Sequence, residues 1–221
     1  MAGAEVGDIA MAIRAAARGL DMAPLTIIKL GGAQARGGRL GEWLDAISAH
    51  AGRVIVVPGG GPFADVVRAM QAEIGFDDIA AHEMAMVAMS QFGRALVGLR
   101  TGFELADSEA AWREALRGGV TPIWSPERMA LAAGLRPSWD LTSDSLALWL
   151  AGQLGAARVI LVKHGAPGTA AELARDGVVD PLFPAYLAAT GVCAYLAAPD
   201  SAARLAEGLD GDGYSRIRLE A

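Results

Sequence analysis

Cysteine, lysine and histidine are nearly missing from this chain of 221 residues. Cys193 is the single cysteine, so no intrachain disulfide can form and a cytoplasmic setting is the expectation. His50, His82 and His164 stand far apart, and with one cysteine they give no zinc-ligand spacing. No run of about 18 uncharged apolar residues occurs, so no transmembrane helix is expected. Basic charge is short as well. The net charge of −6 argues against nucleic acid as the main partner, because phosphate backbones need a basic surface. Two catalytic signatures are also missing: the P-loop pattern G-x-x-x-x-G-K-[ST] and the G-x-S-x-G nucleophile elbow.

What remains is an apolar chain, 53% hydrophobic and rich in alanine and glycine, long enough to bury a sizeable core. Residues 1–24 stand apart as an accessory helix or a poorly ordered extension. From Leu25 onward short apolar runs alternate with amphipathic stretches. "LTIIKL", "RVIVVP", "GFELAD", "VTPIW" and "RVILVKHG" read as strands, and "SRIRLE" as an edge strand. "GRLGEWLDAISAHAG", closed by Gly52, reads as a helix, as does the stretch from about Phe63 to Ile74. The long "DDIAAHEMAMVAMSQFGRALVGL" has Asp77 or Asp78 as N-cap. "SEAAWREALRGG", "TSDSLALWLAGQLGA" and "SAARLAEGLDG" complete the helices. In the second of these, Thr142 or Ser143 opens the helix and Gly155 ends it. Strands that are apolar throughout imply burial on both faces, and alternation with helices implies a parallel sheet. The expectation is one domain over residues 25–221, an α/β fold with three layers and a mainly parallel central sheet.

In such sheets ligands bind beyond the carboxyl ends of the strands. Three glycine loops fall there: Gly31-Gly32, Gly59-Gly60-Gly61 and Gly165. Glycine lets backbone N–H groups approach phosphate oxygens, and a following helix N-terminus adds positive potential. "GGGPFA" also matches the dinucleotide pattern G-x-G-x-x-A formally, but it follows the second strand and Pro62 crowds its turn. The chain's only two lysines, Lys29 and Lys163, both end buried strands at this edge. A compact ammonium there offers three donors to a phosphoryl group. Two lysines with a magnesium ion would supply the charge neutralisation that phosphoryl transfer needs. Asp144, in the first turn of its helix, is the carboxylate expected to hold them, with Asp140 in reserve.

"IIKLGGA", "VIVVPGGGPFADVVR" and "SWDLTSDSLALWLA", in that order, resemble the amino acid kinase family. The resemblance runs from about Leu25 to the C-terminus. It implies ATP as phosphoryl donor with Mg2+, and commonly a homodimer built on the helix near residues 78–99, where "MAMVAM" would otherwise be plain core. It also implies catalytic roles for Lys29 and Asp144, nucleotide contacts through Gly31 and Gly32, and acceptor contacts through Gly59, Gly60 and Gly61. "PGGGPFADVVR", "SWDLTSDSLALWL" and "VVDPLFPAYL" are similar to the branch that phosphorylates aminomethylfuran phosphates in methanofuran biosynthesis. A furan ring would want apolar walls, for which Phe63, Trp139 and His82 are candidates beside a core reading.

The chain departs from the family after its "ILVKHG" strand. The acidic motif T-D-V-D-G-V-Y is replaced by Lys163 and His164, and "VVDPLFPAYL" lacks the later catalytic lysine. Either Lys163 takes over that charge while also framing the nucleotide with Gly165, or transfer is weakened and the protein binds nucleotide in an assembly role. Isopentenyl phosphate or a small carboxylate are the other acceptors the glycine loops would suit.

Overall fold

In the computed structural model, which describes residues 24–32, 38–210 and 213–220, the β-branched runs meet as a seven-stranded sheet. The elements follow in order: β1 (Thr26–Leu30), α1 (Leu40–Ser48), β2 (Val54–Pro58), α2 (Gly61–Ile74), α3 (Asp78–Leu99), β3 (Phe103–Ala106), α4 (Glu109–Arg117) and β4 (Thr121–Trp124). Then come α5 (Glu127–Ala132), α6 (Ser143–Leu154), β5 (Arg158–Val162), α7 (Ala170–Arg175), α8 (Phe183–Thr190), β6 (Cys193–Ala197), α9 (Ala202–Glu207) and β7 (Ser215–Ile217). The strand order is β3-β4-β2-β1-β5-β6-β7, and every pairing is parallel except β6 with β7. This is the expected α/β architecture, mainly parallel with helices on both faces.

Two hydrophobic clusters divide the layers. Ile27, Ile55, Val57, Val159 and Leu161 pack on one face, against α6 and α8. Ile28, Leu30, Val54, Val56, Ile160 and Val162 pack on the other, against α1 and α9. The split follows strand parity, since successive side chains point to opposite faces. It also explains why β1 and β2 are buried from end to end. Helix α3 closes the sheet beside β3: Met86 and Met89 join the first cluster, Phe92 and Leu96 the second.

Several elements differ from the sequence reading. α1 stops at Ser48 instead of running to Gly52, and Gly52 supplies a left-handed turn with φ 84° leading into β2. α5, α7, α8 and β6 emerge where no element was read. In β6 the run Cys-Ala-Tyr-Leu-Ala has no β-branched residue, and its partly exposed positions obscure the apolar signal. The extension read over residues 1–24 lies, up to residue 23, outside the described residues.

Candidate active site

Parity also builds the site. Lys29 shares its face of β1 with Ile27, the face covered by α6. Leu30 pairs with Val162 in adjacent parallel strands, so Lys163 lies one residue past β5, on the same face as Leu161. The N-terminus of α6 points at this edge and carries Asp144 in its first turn. Asp144 is 2% exposed and ion-pairs with both lysines: Lys29 Nζ stands 2.9 Å from Oδ1, and Lys163 Nζ donates to Oδ2. Lys163 also donates to the carbonyl of Val178. The chain's two lysines thus converge on one carboxylate.

The charges are tuned by this packing. Burial alone would raise the Asp144 carboxyl, but the two ammonium groups outweigh it and hold the acid below its usual range. Lys163 is pushed below the usual lysine range, first by burial and then by repulsion from Lys29, with Asp144 opposing. Two cations thus share one buried anion at the strand ends.

A second buried carboxylate, Asp180, was missed as a functional residue. Thr142 occupies the N-cap position of α6, but its side chain does not cap the helix. Asp180, from the loop before α8, does so instead. It accepts from the amide N–H of Thr142 and of Ser145, both at 3.0 Å, and from the hydroxyls of Thr142 at 2.9 Å and of Ser145. Burial and the nearby Asp144 push its acid up to about 6, against the pull of these donors. The signal was available in "VVDPLF", an acid inside an apolar run, but its partners lie 35 and 38 residues away.

The glycine loops meet above the lysines. A Cβ on Gly32 would lie 2.1 Å from the Cα of Gly61, and one on Gly59 would lie 3.2 Å from the Cα of Gly31. The loop after β1 and the loop after β2 are therefore in backbone contact, which only glycine permits. Gly61 itself has φ 56° and opens α2. A cavity of about 400 Å³ lies over this junction, lined by Lys29, Lys163, Asp144, Gly32, Gly59, Gly60 and Gly61. Arg68, Met86, Met89, Leu141 and Trp139 also line it. Arg68 stacks on the Trp139 ring with its guanidinium carbon 4.1 Å from the centroid, and the indole N–H donates to Gln71 at 2.6 Å.

Most of the expected site residues are thus brought together. Gly31 adjoins Lys29, where a Cβ would lie 3.1 Å from Nζ, without itself lining the cavity. Four stand elsewhere, among them His82, which lines a separate small cavity. Phe63 is 42% exposed and faces an outer groove with Val66, Met84 and Val87, away from the cavity. Gly165 is absent from the cavity wall, and a Cβ there would strike Val178 at 2.7 Å, so close packing accounts for it. The reserve acid Asp140 is exposed in the loop before α6 and touches neither lysine. Arg68 was not anticipated; its place on α2 after the glycine triplet is the clue.

A model of the amino acid kinase family matches residues 24–166, well over half of the chain. The chain belongs to the amino acid kinase family. A curated relative, the [5-(aminomethyl)furan-3-yl]methyl phosphate kinase of Methanocaldococcus jannaschii, is 28% identical over 111 residues, 49% of this chain and 50% of that one. The chain thus matches half the length of that relative. Two solved structures share the fold. The UMP kinase of Bacillus anthracis has a TM-score of 0.63 at 18% identity, with 90% of this chain and 97% of that one covered. The isopentenyl phosphate kinase of T. acidophilum has a TM-score of 0.51 at 11% identity, covering 88% of this chain and 100% of that one.

Proposed function

We propose that this member of the amino acid kinase family is an ATP-dependent kinase that converts a small organic phosphate to a diphosphate. The acceptor is an aminomethylfuranmethyl phosphate. The observation that carries this reading is the pairing of both lysines with buried Asp144 beneath two glycine loops in contact. Catalysis by such a site is positioning and charge neutralisation.

In this reading Gly31 and Gly32 offer N–H groups to the nucleotide phosphates, while Gly59, Gly60, Gly61 and Arg68 hold the phosphate of the acceptor. An acceptor phosphate oxygen attacks the γ-phosphorus. A new O–P bond forms as the bond to the β,γ-bridging oxygen breaks, and ADP leaves with its electrons. No side-chain nucleophile is needed. Lys29 and Lys163 neutralise the three equatorial oxygens, and Asp144 fixes where the two ammonium groups stand. Lys163 thereby replaces the later lysine of other family members. Among the described residues no three metal-ligating side chains cluster, and both Asp144 oxygens face lysines. A magnesium ion carried in with the nucleotide would add to this charge neutralisation. The apolar wall of Met86, Met89, Leu141 and Trp139 suits a flat ring, and the 28% relative acts on such a compound.

The same reading includes a homodimer through α2 and α3, in a cytoplasmic enzyme. Phe63, Val66, Met70, Ile79, Met84 and Val87 are exposed along these helices. No helix among the described residues is long and apolar enough to cross a membrane. The deciding experiment is ADP release from ATP with the aminomethylfuranmethyl phosphate, isopentenyl phosphate, UMP and a small carboxylate. Turnover of the furan compound above the others supports the reading. ATP binding without turnover of any acceptor refutes it, in favour of an assembly protein with the kinase fold.

A further inference from the structure

His82 is 6% exposed in the inward face of α3, and its Nε2 has no hydrogen-bond partner. A buried polar atom left unpaired is costly, so this nitrogen is available to a ligand. Burial lowers the imidazole's affinity for a proton, against a weaker pull from Glu83, so the ring is neutral near pH 7. The ring faces a small annex of about 10 Å³, room for one water-sized group. Asp78, one turn earlier on α3, and Ser138 supply the other polar lining. Asp78 is already oriented, since its Oδ1 accepts from Gln71 at 2.9 Å. Ala85, Leu141 and Trp139 line both the annex and the main cavity. Trp139 is thus the partition, with Arg68 stacked on one side and Gln71 holding its N–H.

These features divide the acceptor site by charge. Its near end, at Arg68 and the glycine triplet, suits an anion. Its far end presents the exposed Asp78 carboxylate, the Ser138 hydroxyl and, with the neutral ring protonated at Nδ1, the unpaired Nε2 of His82, three groups able to accept from an ammonium group. We propose that His82 and Asp78 read a primary amine at the end of the acceptor distant from its phosphate, the amine seating in the annex behind Trp139. His82 is then a specificity-determining residue and not a core histidine. This inference rests on the kinase reading above and deepens it: the acceptor is zwitterionic, with phosphate and ammonium on opposite ends of a flat ring.

The test compares two acceptors in wild-type protein: [5-(aminomethyl)furan-3-yl]methyl phosphate and its deamino analogue (5-methylfuran-3-yl)methyl phosphate. A site built to bond the amine favours the first by about tenfold or more in kcat/KM. In His82→Phe that preference collapses through a raised KM for the amine compound, while the methyl compound is unaffected. His82→Gln, which keeps an acceptor, retains part of the preference. Asp78→Asn weakens it as well. Equal turnover of both compounds by the wild type overturns the inference and leaves the kinase reading standing, whether or not the variants fold. So does a parallel loss on both compounds in His82→Phe, the signature of a packing role. If the wild type turns over neither compound, the kinase reading falls and takes the inference with it.

Discussion

Replacing Asp180 tests whether a distant carboxylate holds helix α6 in place. In Asp180→Ala the amide N–H groups of Thr142 and Ser145 lose their acceptor. Each buried unpaired donor costs about 1–3 kcal/mol, so the loss is about 2–6 kcal/mol. Asp180→Asn keeps an acceptor for those amides and removes the charge. The gap in unfolding free energy between the Asn and Ala variants is therefore present at every pH. The gap between Asn and wild type is not. The folded-state pKa of Asp180 is raised from 3.8 to about 6, by burial and by Asp144. The unfolded chain then releases this proton first as pH rises. This group's contribution is complete below about pH 4 and is lost as pH climbs toward 6 and beyond, an upward shift worth about 3 kcal/mol. The Asn variant escapes that loss. Its stability relative to wild type should rise by up to about 3 kcal/mol from about pH 4 to pH 7. Tyr186, whose hydroxyl is raised to about 12 by burial and then by Asp180, stays neutral throughout the window. Urea unfolding of the three proteins across that range measures both gaps. Equal stability of Ala and Asn would refute the capping argument. A pH-independent difference between Asn and wild type would refute the charge argument.

Four further outcomes are expected. Lys29→Met should lower kcat by about 10²–10³ with nucleotide binding retained, and Lys163→Met should fall in the same range; near wild-type turnover in the latter would show that Lys163 does not replace the missing lysine. Gly32→Ala should abolish turnover, because its Cβ would sit 2.1 Å from the backbone of Gly61; an active, folded variant would mean the loops part freely. Arg68→Leu should raise the acceptor KM by about tenfold with kcat little changed, read by the same ADP-release assay. Val87→Glu, at a position 44% exposed on α3, should yield a folded monomer by light scattering, and an unchanged mass would move the dimer interface elsewhere.

The strand pattern was legible because β1, β2 and β5 are buried on both faces, and continuous burial leaves an unbroken apolar run. Lys29, Lys163 and Asp144 were legible because charged groups at the ends of such runs stand out. Asp180 was not, since its role depends on a chain reversal that brings residue 180 back over residue 142. Phe63 misled for a related reason. It follows the glycine triplet in sequence, yet the turn of α2 sends it outward while Arg68, further along, faces the cavity. Helical phase decided between them, and the start of α2 at Gly61 fixes that phase.

The contact between Gly32 and Gly61 has a consequence for how such a site can diversify. With no room for a side chain at the junction, Gly32 cannot take a larger residue without parting the two loops. Variation is freer at the side chains that line the cavity around it, Arg68 further along α2, Met86 on α3 and Trp139 before α6. A change of acceptor is then a matter of refurnishing one wall around a fixed hearth.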